Sequence, residues 1–409
     1  MREWERRFLY QQGGRDNVPK RSEIRFSSVI LYSLILNAGA AFMWPLVTVY
    51  MHNYLHKSLT LAGMTILVMS VFMMIGNYLG GYLFDRWSPY KAAIISVVIS
   101  MSAIIGLVFF HGWPMFSILL LFVGFGDGAC MTLLNSYAAS IKTRSTRAIF
   151  NVLYIGQNVG IVIGTLMVGF LLSHGVTIVF IVAAIFYFIL LVITLIDFNV
   201  VVQRRAPGKK IQPGAPHETN VGSMILAICG VVLGVYLSYA LWESVISVHM
   251  TNLHIPFENY SLLWTLNGLM IVFGQPFVNR IGEHFKLSMQ TYIGVFIFAI
   301  SFIGLIFAKQ YYAFIIVMVV TTIGEMIGFP GIPAWIDSLS TPQQRGKFQG
   351  MYNLFMSFGR ALGPLIGGVF LDFAPYGVLF SFAAGIIIVF LVILMILNHK
   401  RNRINQQFN

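Results

Sequence analysis

Long apolar runs alternate with short polar segments along almost the whole chain. The apolar runs cover residues 26–50, 60–84, 91–110, 113–139, 148–172, 175–197, 221–248, 259–279, 286–308, 311–336, 347–371 and 375–398. An α-helix needs about 20 mostly apolar residues to cross the hydrocarbon core of a bilayer. Each run reaches that length, so the pattern predicts an all-α polytopic membrane protein with twelve transmembrane helices, called spans 1 to 12 in chain order.

The composition excludes a soluble enzyme. Of 409 residues, 57% are hydrophobic and only 10% are charged, and the mean hydropathy is +0.79. An average soluble protein has about 45–50% apolar and about 25% charged residues, so this chain has too few charges to cover a surface that faces water. Cys130 and Cys229 both lie in apolar runs and do not indicate a redox compartment.

Basic residues are concentrated on one side of the predicted membrane. Of the 26 Lys and Arg residues, seven precede span 1, thirteen lie in or beside the loops that follow even-numbered spans, and three follow span 12. Lys57 and Lys309 lie on the other side, and Arg360 lies within a span. Cytoplasmic loops carry such an excess, so we expect a cell-membrane protein with both termini in the cytoplasm. The net charge of +12 then reflects topology, and no nucleic-acid partner is expected.

A polar linker, rich in proline and basic residues, divides the chain into two sets of six spans. The predicted organisation is a cytoplasmic N-terminal segment (1–25), an N-terminal six-helix bundle (26–197), the cytoplasmic linker (198–220), a C-terminal six-helix bundle (221–398) and a cytoplasmic tail (399–409). We expect the protein to be a monomer.

The second bundle repeats the first at a constant offset of 198 residues. Gly126-Asp127 recurs as Gly324-Glu325. Other residues that match are Ser140, Thr143, Arg147, Phe150 and Tyr154 with Ser338, Thr341, Arg345, Phe348 and Tyr352, and Trp44 with Trp242. Both halves begin on the same side of the membrane. They are therefore expected to be parallel repeats about an axis along the membrane normal, as in many secondary transporters.

Six plus six spans, a basic central loop and parallel halves resemble the major facilitator superfamily of transporters over nearly the whole chain. That family carries Gly-x3-Asp-Arg-x-Gly-Arg-Lys/Arg between spans 2 and 3. Here Gly81 and the following Asp85-Arg86 fit the pattern, whereas Ser88 and Pro89 replace glycine and arginine. The resemblance implies a major facilitator fold of two pseudo-symmetric six-helix bundles.

A second motif is similar to the drug:proton antiporter branch of that family, which carries Gly-x3-Gly-Pro-x2-Gly-Gly in span 5. Here the complete pattern lies in span 11, as Gly359, Gly363, Pro364, Gly367 and Gly368, and span 5 has glycines without the proline. Glycines four residues apart let membrane helices approach closely. The motif predicts either plain helix packing or a bendable gate helix.

Within the family, the chain looks most similar to LmrP-type proton-coupled multidrug exporters. The residues that carry this resemblance are Thr48-Val49-Tyr50 with Tyr54-Leu55, the Gly324-Glu325 pair and the loop of Arg147. The resemblance implies proton-coupled export of lipophilic cationic or neutral compounds by alternating access. A proton-coupled importer of a small solute, or a flippase of a lipid-linked sugar, is the alternative.

The expected partners are a small-molecule substrate, protons and the lipid bilayer, with no cofactor and no metal ion. The sequence contains no P-loop, which an ATP-driven pump would need. It also contains no Gly-x-Ser-x-Gly motif and no His-Glu-x2-His motif, which would indicate a membrane hydrolase. A secondary transporter that is not an enzyme is therefore predicted.

Four charged side chains fall inside predicted spans, where one charge in lipid costs at least about 2.5–3.5 kcal/mol. They are Asp127 in span 4, Glu325 in span 10, Glu243 in span 7 and Arg360 in span 11. Burial without a partner disfavours the charged form of a carboxylate, a property that suits a proton carrier. We expect these four residues to take part in proton coupling.

Glu325 and Arg360 are expected at similar depth on consecutive spans. The sequence therefore predicts an ion pair between them. The pair is either structural, or a contact that changes when Glu325 binds a proton during transport.

Asp85 ends span 2 on the predicted cytoplasmic side, where span 11 begins near Lys347. A carboxylate that faces the N-terminus of a helix is favourable. The resemblance implies that this contact latches the cytoplasmic gate in the outward-open state, and a solvated loop turn is the alternative. The basic residues expected to take part in gating are Arg86, Arg144, Arg147 and Arg345.

Four further residues are candidates for the wall of a substrate cavity. Asn37 and Gln157 are amides within spans 1 and 5, and they equally fit hydrogen bonding between packed helices. Trp44 and Trp242 lie near the outer ends of spans 1 and 7, where tryptophan also serves as an interfacial anchor.

Overall fold

The computed structural model describes residues 23–141, 143, 146–200, 219–340 and 344–407. In this part of the chain, twelve helical segments are long and apolar enough to cross a membrane. The predicted all-α, twelve-span architecture is confirmed.

The helix bounds follow the predicted runs closely. Span 1 comprises Phe26–Ala41, Met43–Val49 and the π-helical turn Tyr50–Tyr54, and spans 2 to 9 are Leu59–Arg86, Pro89–Phe109, Met115–Ser140, Thr146–Leu172, Val176–Asp197, Thr219–Asn252, Phe257–Gly282 and Leu287–Phe307. Span 10 comprises Tyr311–Gly328 and Gly331–Leu339, and spans 11 and 12 are Arg345–Phe373 and Tyr376–Gln407. Residues 399–407, predicted as a tail, therefore continue the helix of span 12.

Helix capping explains the Ser-Pro dipeptide between spans 2 and 3. The Ser88 side chain accepts a hydrogen bond from the backbone N–H of Lys91, which makes it the N-cap of span 3. Pro89 occupies the first helical position, where its missing N–H has no cost. Ser58 caps span 2 in the same way.

Prolines explain why two spans are broken. Pro45 cannot donate to the carbonyl of Ala41, where the first helix of span 1 ends. Pro330 lies at the break between the two helices of span 10, which the sequence predicts as one run. Span 11, in contrast, continues as one helix through Pro364.

Glycines bring spans 1 and 5 into backbone contact in the N-terminal half. A Cβ atom added at Gly160 would lie 2.2 Å from the carbonyl oxygen of Leu34, and one at Gly164 would lie 2.3 Å from that of Ala38. Only glycine permits this approach.

The C-terminal half repeats the arrangement between spans 7 and 11. A Cβ atom added at Gly359 would lie 2.8 Å from the carbonyl oxygen of Leu233, and one at Gly363 would lie 2.4 Å from that of Leu237. The glycine motif therefore packs span 11 against span 7, and span 5 makes the equivalent contact without a proline. This supports the packing interpretation of the motif, and bending of span 11 stays a prediction.

The two ends of the bundle differ in charge. Span 1 begins and even-numbered spans end at one face, which carries Arg86, Lys91, Arg280, Lys286 and Lys347. We call it the basic face and the opposite end the far face. The sequence predicts that the basic face is cytoplasmic, and this stays a prediction.

The two halves pack tightly against each other near the far face. A Cβ atom added at Gly63 of span 2 would lie 2.3 Å from the carbonyl oxygen of Pro364 in span 11, and one at Gly368 would lie 2.4 Å from that of Leu59. Hydrogen bonds from Asn53 to Thr251 and from Thr60 to Asp372 also join the halves there.

Toward the basic face, spans 2, 8 and 11 carry exposed positions. Tyr78 of span 2 and Phe273 of span 8 are each about three-quarters exposed, at 74% and 76%. A Cβ atom added at Gly350, near the start of span 11, would meet no atom within 4 Å. The close backbone contacts between spans 2 and 11 therefore lie toward the far face, whereas positions nearer the basic face are exposed.

Candidate functional site

A cavity of about 270 Å³ lies between the two halves, lined by spans 1, 2, 4, 5, 7, 8 and 11. Its polar and charged lining residues are Asn37, Ser70, Asn77, Asp127, Gln157, Thr165, Glu243, Ser357 and Arg360. Its aromatic and sulphur-containing lining residues are Trp44, Tyr260, Trp264, Met73, Met74, Met131 and Met356. We call it the central cavity.

Three of the four predicted cavity residues line this space. Asn37, Trp44 and Gln157 are on its wall, and the Asn37 amide donates to the carbonyl of Ser33 at 2.7 Å within its own helix. The prediction for Trp242 is wrong, because this side chain is buried in the C-terminal half and does not line the cavity. Successive helix positions point in different directions, and here the next residue, Glu243, faces the cavity.

Asp127 is a buried carboxylate on the cavity wall that is held by hydroxyl groups. The Tyr187 hydroxyl lies 2.8 and 2.9 Å from its two oxygens, and the Ser100 hydroxyl donates to it at 2.9 Å. Within the described part of the chain, Asp127 forms no ion pair. Only 7% of the residue is exposed.

Close packing of spans 3 and 4 makes the Ser100 contact possible. A Cβ atom added at Gly126 would lie 2.1 Å from the Ser100 hydroxyl oxygen. The glycine before Asp127 therefore leaves the room in which Ser100 reaches the carboxylate.

Glu325 occupies a separate polar site in the C-terminal half and is not on the cavity wall. The Asn267 amide donates to one carboxylate oxygen at 3.1 Å, and the Tyr239 hydroxyl donates to the other at 3.5 Å. Asn267 also donates to the Thr322 hydroxyl at 2.9 Å. Both carboxylates thus receive one tyrosine hydroxyl and one other neutral donor.

Arg360 pairs with Glu243, so the predicted ion pair with Glu325 is wrong for this structure. Similar depth on consecutive spans was the basis of that prediction. Gly359 and Gly363, on either side of Arg360, pack against span 7. The arginine therefore meets the acid of span 7 rather than the acid of span 10.

The guanidinium group of Arg360 also contacts aromatic rings of both halves. Its central carbon lies 5.7 Å from the ring centroid of Trp44 in span 1 and 5.9 Å from that of Tyr239 in span 7. The Tyr239 ring thus lies against Arg360 while its hydroxyl donates to Glu325. Arg360 and Glu243 are on the cavity wall together with Trp44.

The predicted gating residues lie at the basic face or outside the described residues. Asp85 and Arg86 are exposed at the end of span 2, and Asp85 forms no hydrogen bond or ion pair within the described residues. Arg144 lies outside the described residues, as do the side chains of Arg147 and Arg345. The latch is expected when the basic face is closed, and here it is the far face that is closed, so the latch stays a prediction.

The hydrogen-bond donors of the buried acids were not among the predicted site residues. Ser100 and Asn267 are polar residues within apolar runs, a signal that was available. Tyr187 and Tyr239 carry a weaker signal, because a tyrosine in a span also serves as a packing residue through its ring. In the described residues, no group of three or more His, Cys, Asp or Glu side chains is arranged to hold a metal ion.

Comparisons with known proteins agree with this architecture. The chain is 35% identical over 369 residues to the uncharacterized MFS-type transporter YttB of Bacillus subtilis (strain 168), which covers 87% of this chain and 90% of that protein. The POT family transporter PepTSo matches with a TM-score of 0.76 and 14% identity, over 92% of this chain and 98% of that one. The nucleoside transporter NupG matches with a TM-score of 0.70 and 14% identity, over 91% of this chain and 98% of that one. At such low identity these two structures establish the fold alone.

The sequence profile of the Major Facilitator Superfamily matches residues 29–242 and 221–408, which together span almost the whole chain. Twelve spans, two pseudo-symmetric halves and a central cavity are the architecture of such a transporter. The chain belongs to the Major Facilitator Superfamily and is a multi-pass membrane transporter.

Proposed function

We propose that this transporter exports lipophilic cationic or neutral compounds across the cell membrane in exchange for protons. The observation that carries the proposal is Asp127, a buried carboxylate on the wall of the central cavity that has hydroxyl partners and no basic partner in the described residues. The resemblance to the drug:proton antiporter branch, and to LmrP-type exporters within it, supports the same function.

The partners of Asp127 suit a group that binds and releases a proton. A hydroxyl group both donates and accepts hydrogen bonds. Ser100 and Tyr187 therefore donate to the ionised carboxylate, and each also has lone pairs to accept from the protonated acid. No ion pair among the described residues holds Asp127 in its charged form. Glu325, held by Tyr239 and Asn267, is the second candidate for a proton site.

The charge and shape of the cavity favour cationic or neutral substrates over anions. Its lining carries two acids, Asp127 and Glu243, against one base, Arg360. The four methionines of the wall are flexible and polarisable, so they adapt to substrates of different shape. Aromatic faces such as that of Trp44 attract cations.

The proposed direction of transport rests on the predicted topology and on the proposed exchange with protons. With the basic face in the cytoplasm, the structure corresponds to an inward-facing state that loads substrate from the cytoplasm. The far-face contacts of Gly63 and Gly368 then close the outer gate. Exchange for a proton from outside would drive export.

Import of a small polar solute is the second candidate. The amides of Asn37, Asn77 and Gln157 on the cavity wall favour it, because a polar solute needs such hydrogen-bonding partners. The POT family transporter PepTSo and the nucleoside transporter NupG share the fold.

Transport by purified protein in liposomes with an imposed pH gradient tests the proposal. With wild-type protein, we expect a fluorescent lipophilic cation to cross the membrane in the direction opposite to the flow of protons. A nucleoside should not be transported. Asp127→Asn and Glu325→Gln should each abolish movement driven by the gradient while exchange of substrate without a gradient continues. Glu283→Gln, which changes an exposed acid at the basic face, is the matched control and should behave as wild type.

The same assay separates the candidates. Movement of the nucleoside together with protons would favour the importer. If both Asp127→Asn and Glu325→Gln retained full transport driven by the gradient, neither residue would carry the coupled proton.

A further inference from the structure

The central cavity already holds a cation of its own. The Arg360 guanidinium bonds to Glu243 in its own half and lies over the Trp44 ring of the other half, 5.7 Å from the ring centroid. A carboxylate and an aromatic face are the groups that would bind a positively charged ligand. In this structure Arg360 occupies both.

The guanidinium group of Arg360 is held by few hydrogen bonds. The Arg360 Nε atom and the Glu243 Oε2 atom are buried without hydrogen-bond partners, so a single hydrogen-bonded contact joins the pair. Only 11% of the Glu243 side chain is exposed, whereas 38% of the Arg360 side chain is exposed. A ligand in the cavity therefore reaches the guanidinium, and displacing it breaks few hydrogen bonds.

We propose that Arg360 is an internal stand-in for the substrate, and that a lipophilic cation binds by displacing its guanidinium from Trp44 and Glu243. This inference takes the positive charge of the substrate from the proposed function. It adds the subsite, formed by Trp44 and Glu243, and the Arg360 guanidinium as the group that competes with the substrate for that subsite. The ligand class is an organic cation with weakly hydrated charge, because an aromatic face replaces little of the hydration of a compact cation.

The distinctive consequence is that removing the arginine strengthens cation binding through Trp44. The test measures dissociation constants of tetraphenylphosphonium for the purified full chain, without a membrane potential or pH gradient. We expect Arg360→Met to bind the cation about 3- to 30-fold more tightly, the range of a cation–π contact. When Trp44 is already replaced by Leu, Arg360→Met should raise the affinity for the cation by a factor at least about threefold smaller.

Two controls separate this effect from a change in overall charge. Tetraphenylborate has the same shape and the opposite charge, and Arg360→Met should weaken its binding. Lys57 lies 5.6 Å from the ring centroid of Trp113, a similar pair that does not line the cavity. Lys57→Met should leave the affinities of both ions unchanged.

The outcomes distinguish this inference from the proposed function. An equal gain in the Trp44→Leu background, or no gain at all, would overturn the stand-in role even if the cation is transported. Failure of the cation to bind any variant would overturn the cationic substrate class and this inference with it. Should Arg360→Met not fold, the Arg360→Met, Glu243→Met double variant replaces both members of the pair, and its affinity should still depend on Trp44.

Discussion

Asp127 and Glu325 hold the same position in the two halves, yet different spans supply their partners. Asp127 of span 4 receives hydroxyl groups from spans 3 and 6. Glu325 of span 10 receives a hydroxyl group from span 7 and an amide from span 8. The acid therefore keeps its position in the repeat, but the spans that donate hydrogen bonds to it differ between the two halves.

The sequence explains why Glu325 cannot copy Asp127. At the offset of 198 residues, Ser100 corresponds to Phe298 and Tyr187 corresponds to Gly385. Neither Phe298 nor Gly385 has a side-chain donor. The backbone contact is nevertheless the same, because a Cβ atom at Gly324 would lie 2.6 Å from the backbone nitrogen of Phe298.

The partners of Glu325 are equally absent from the first half. Tyr239 corresponds to Ala41 and Asn267 corresponds to Met69. At the same offset, Glu243 and Arg360 correspond to Pro45 and Val162, which cannot form an ion pair. We infer that each half provides a carboxylate that binds a proton, and that the C-terminal half also provides a charged pair for the substrate.

The largest expected effect is a loss of unfolding free energy that differs between variants of the two halves. Removing one partner of a buried ion pair costs about 3–5 kcal/mol of unfolding free energy. The cost of Arg360→Met should lie at the low end of this range, because the Arg360 side chain is partly exposed. Glu243→Met should cost more than Arg360→Met, because the arginine left behind cannot lose its charge. Thermal unfolding should show the double variant to be more stable than Glu243→Met.

Asp127→Leu is the matched change in the other half. It leaves neutral donors unpaired and should cost only about 1–3 kcal/mol. A cost equal to that of Glu243→Met would contradict the distinction between an isolated carboxylate and a charged pair.

The next effect tests whether the same backbone contact serves different purposes. Gly126→Ala and Gly324→Ala both force an added methyl group against span 3 or span 9, which should cost about 1–3 kcal/mol of unfolding free energy. Only Gly126→Ala displaces a donor of the acid, since the methyl group would meet the Ser100 hydroxyl.

Transport measurements distinguish these two glycine variants. For Gly126→Ala, we expect proton-driven transport to fall by more than the amount of folded protein falls. For Gly324→Ala, transport should fall only in proportion to the amount of folded protein. Equal specific activity of the two would show that Ser100 is not needed at Asp127.

A smaller difference is expected between the two tyrosine donors. Tyr187 lies 2.8 and 2.9 Å from the oxygens of Asp127, whereas Tyr239 lies 3.5 Å from one oxygen of Glu325. Hydrogen bonds weaken with distance, so Tyr187→Phe should slow proton-driven transport more than Tyr239→Phe. The reverse order in initial rates would make Glu325 the more tightly held proton site.

The smallest expected effect concerns the gate. A carboxylate at a helix N-terminus is worth about 0.3–2 kcal/mol. Asp85→Asn should therefore favour the state in which the basic face is open and slow turnover without removing substrate binding. Distances between spin labels at the basic ends of spans 2 and 11 measure the shift, and unchanged distances and turnover would leave Asp85 as a loop residue.

The fold was predictable from the sequence because apolar runs of bilayer length leave few alternatives. The buried acids were predictable for the same reason, since a charge inside such a run stands out. The partner of Arg360 was not, because chain order places span 11 beside span 10 and only packing places it against span 7. The position of the Trp242 side chain was not predictable either, because the repeat fixes the depth of this residue and not the direction of its side chain.

The most direct test of the account is a count of protons released when a lipophilic cation binds. Purified protein in weakly buffered solution near neutral pH receives a saturating amount of tetraphenylphosphonium, and a pH indicator records the release. If Asp127 carries the exchanged proton, wild type should release protons and Asp127→Asn should release markedly fewer, at equal ligand occupancy. Equal release by the two proteins, or none from wild type, would contradict the role of Asp127.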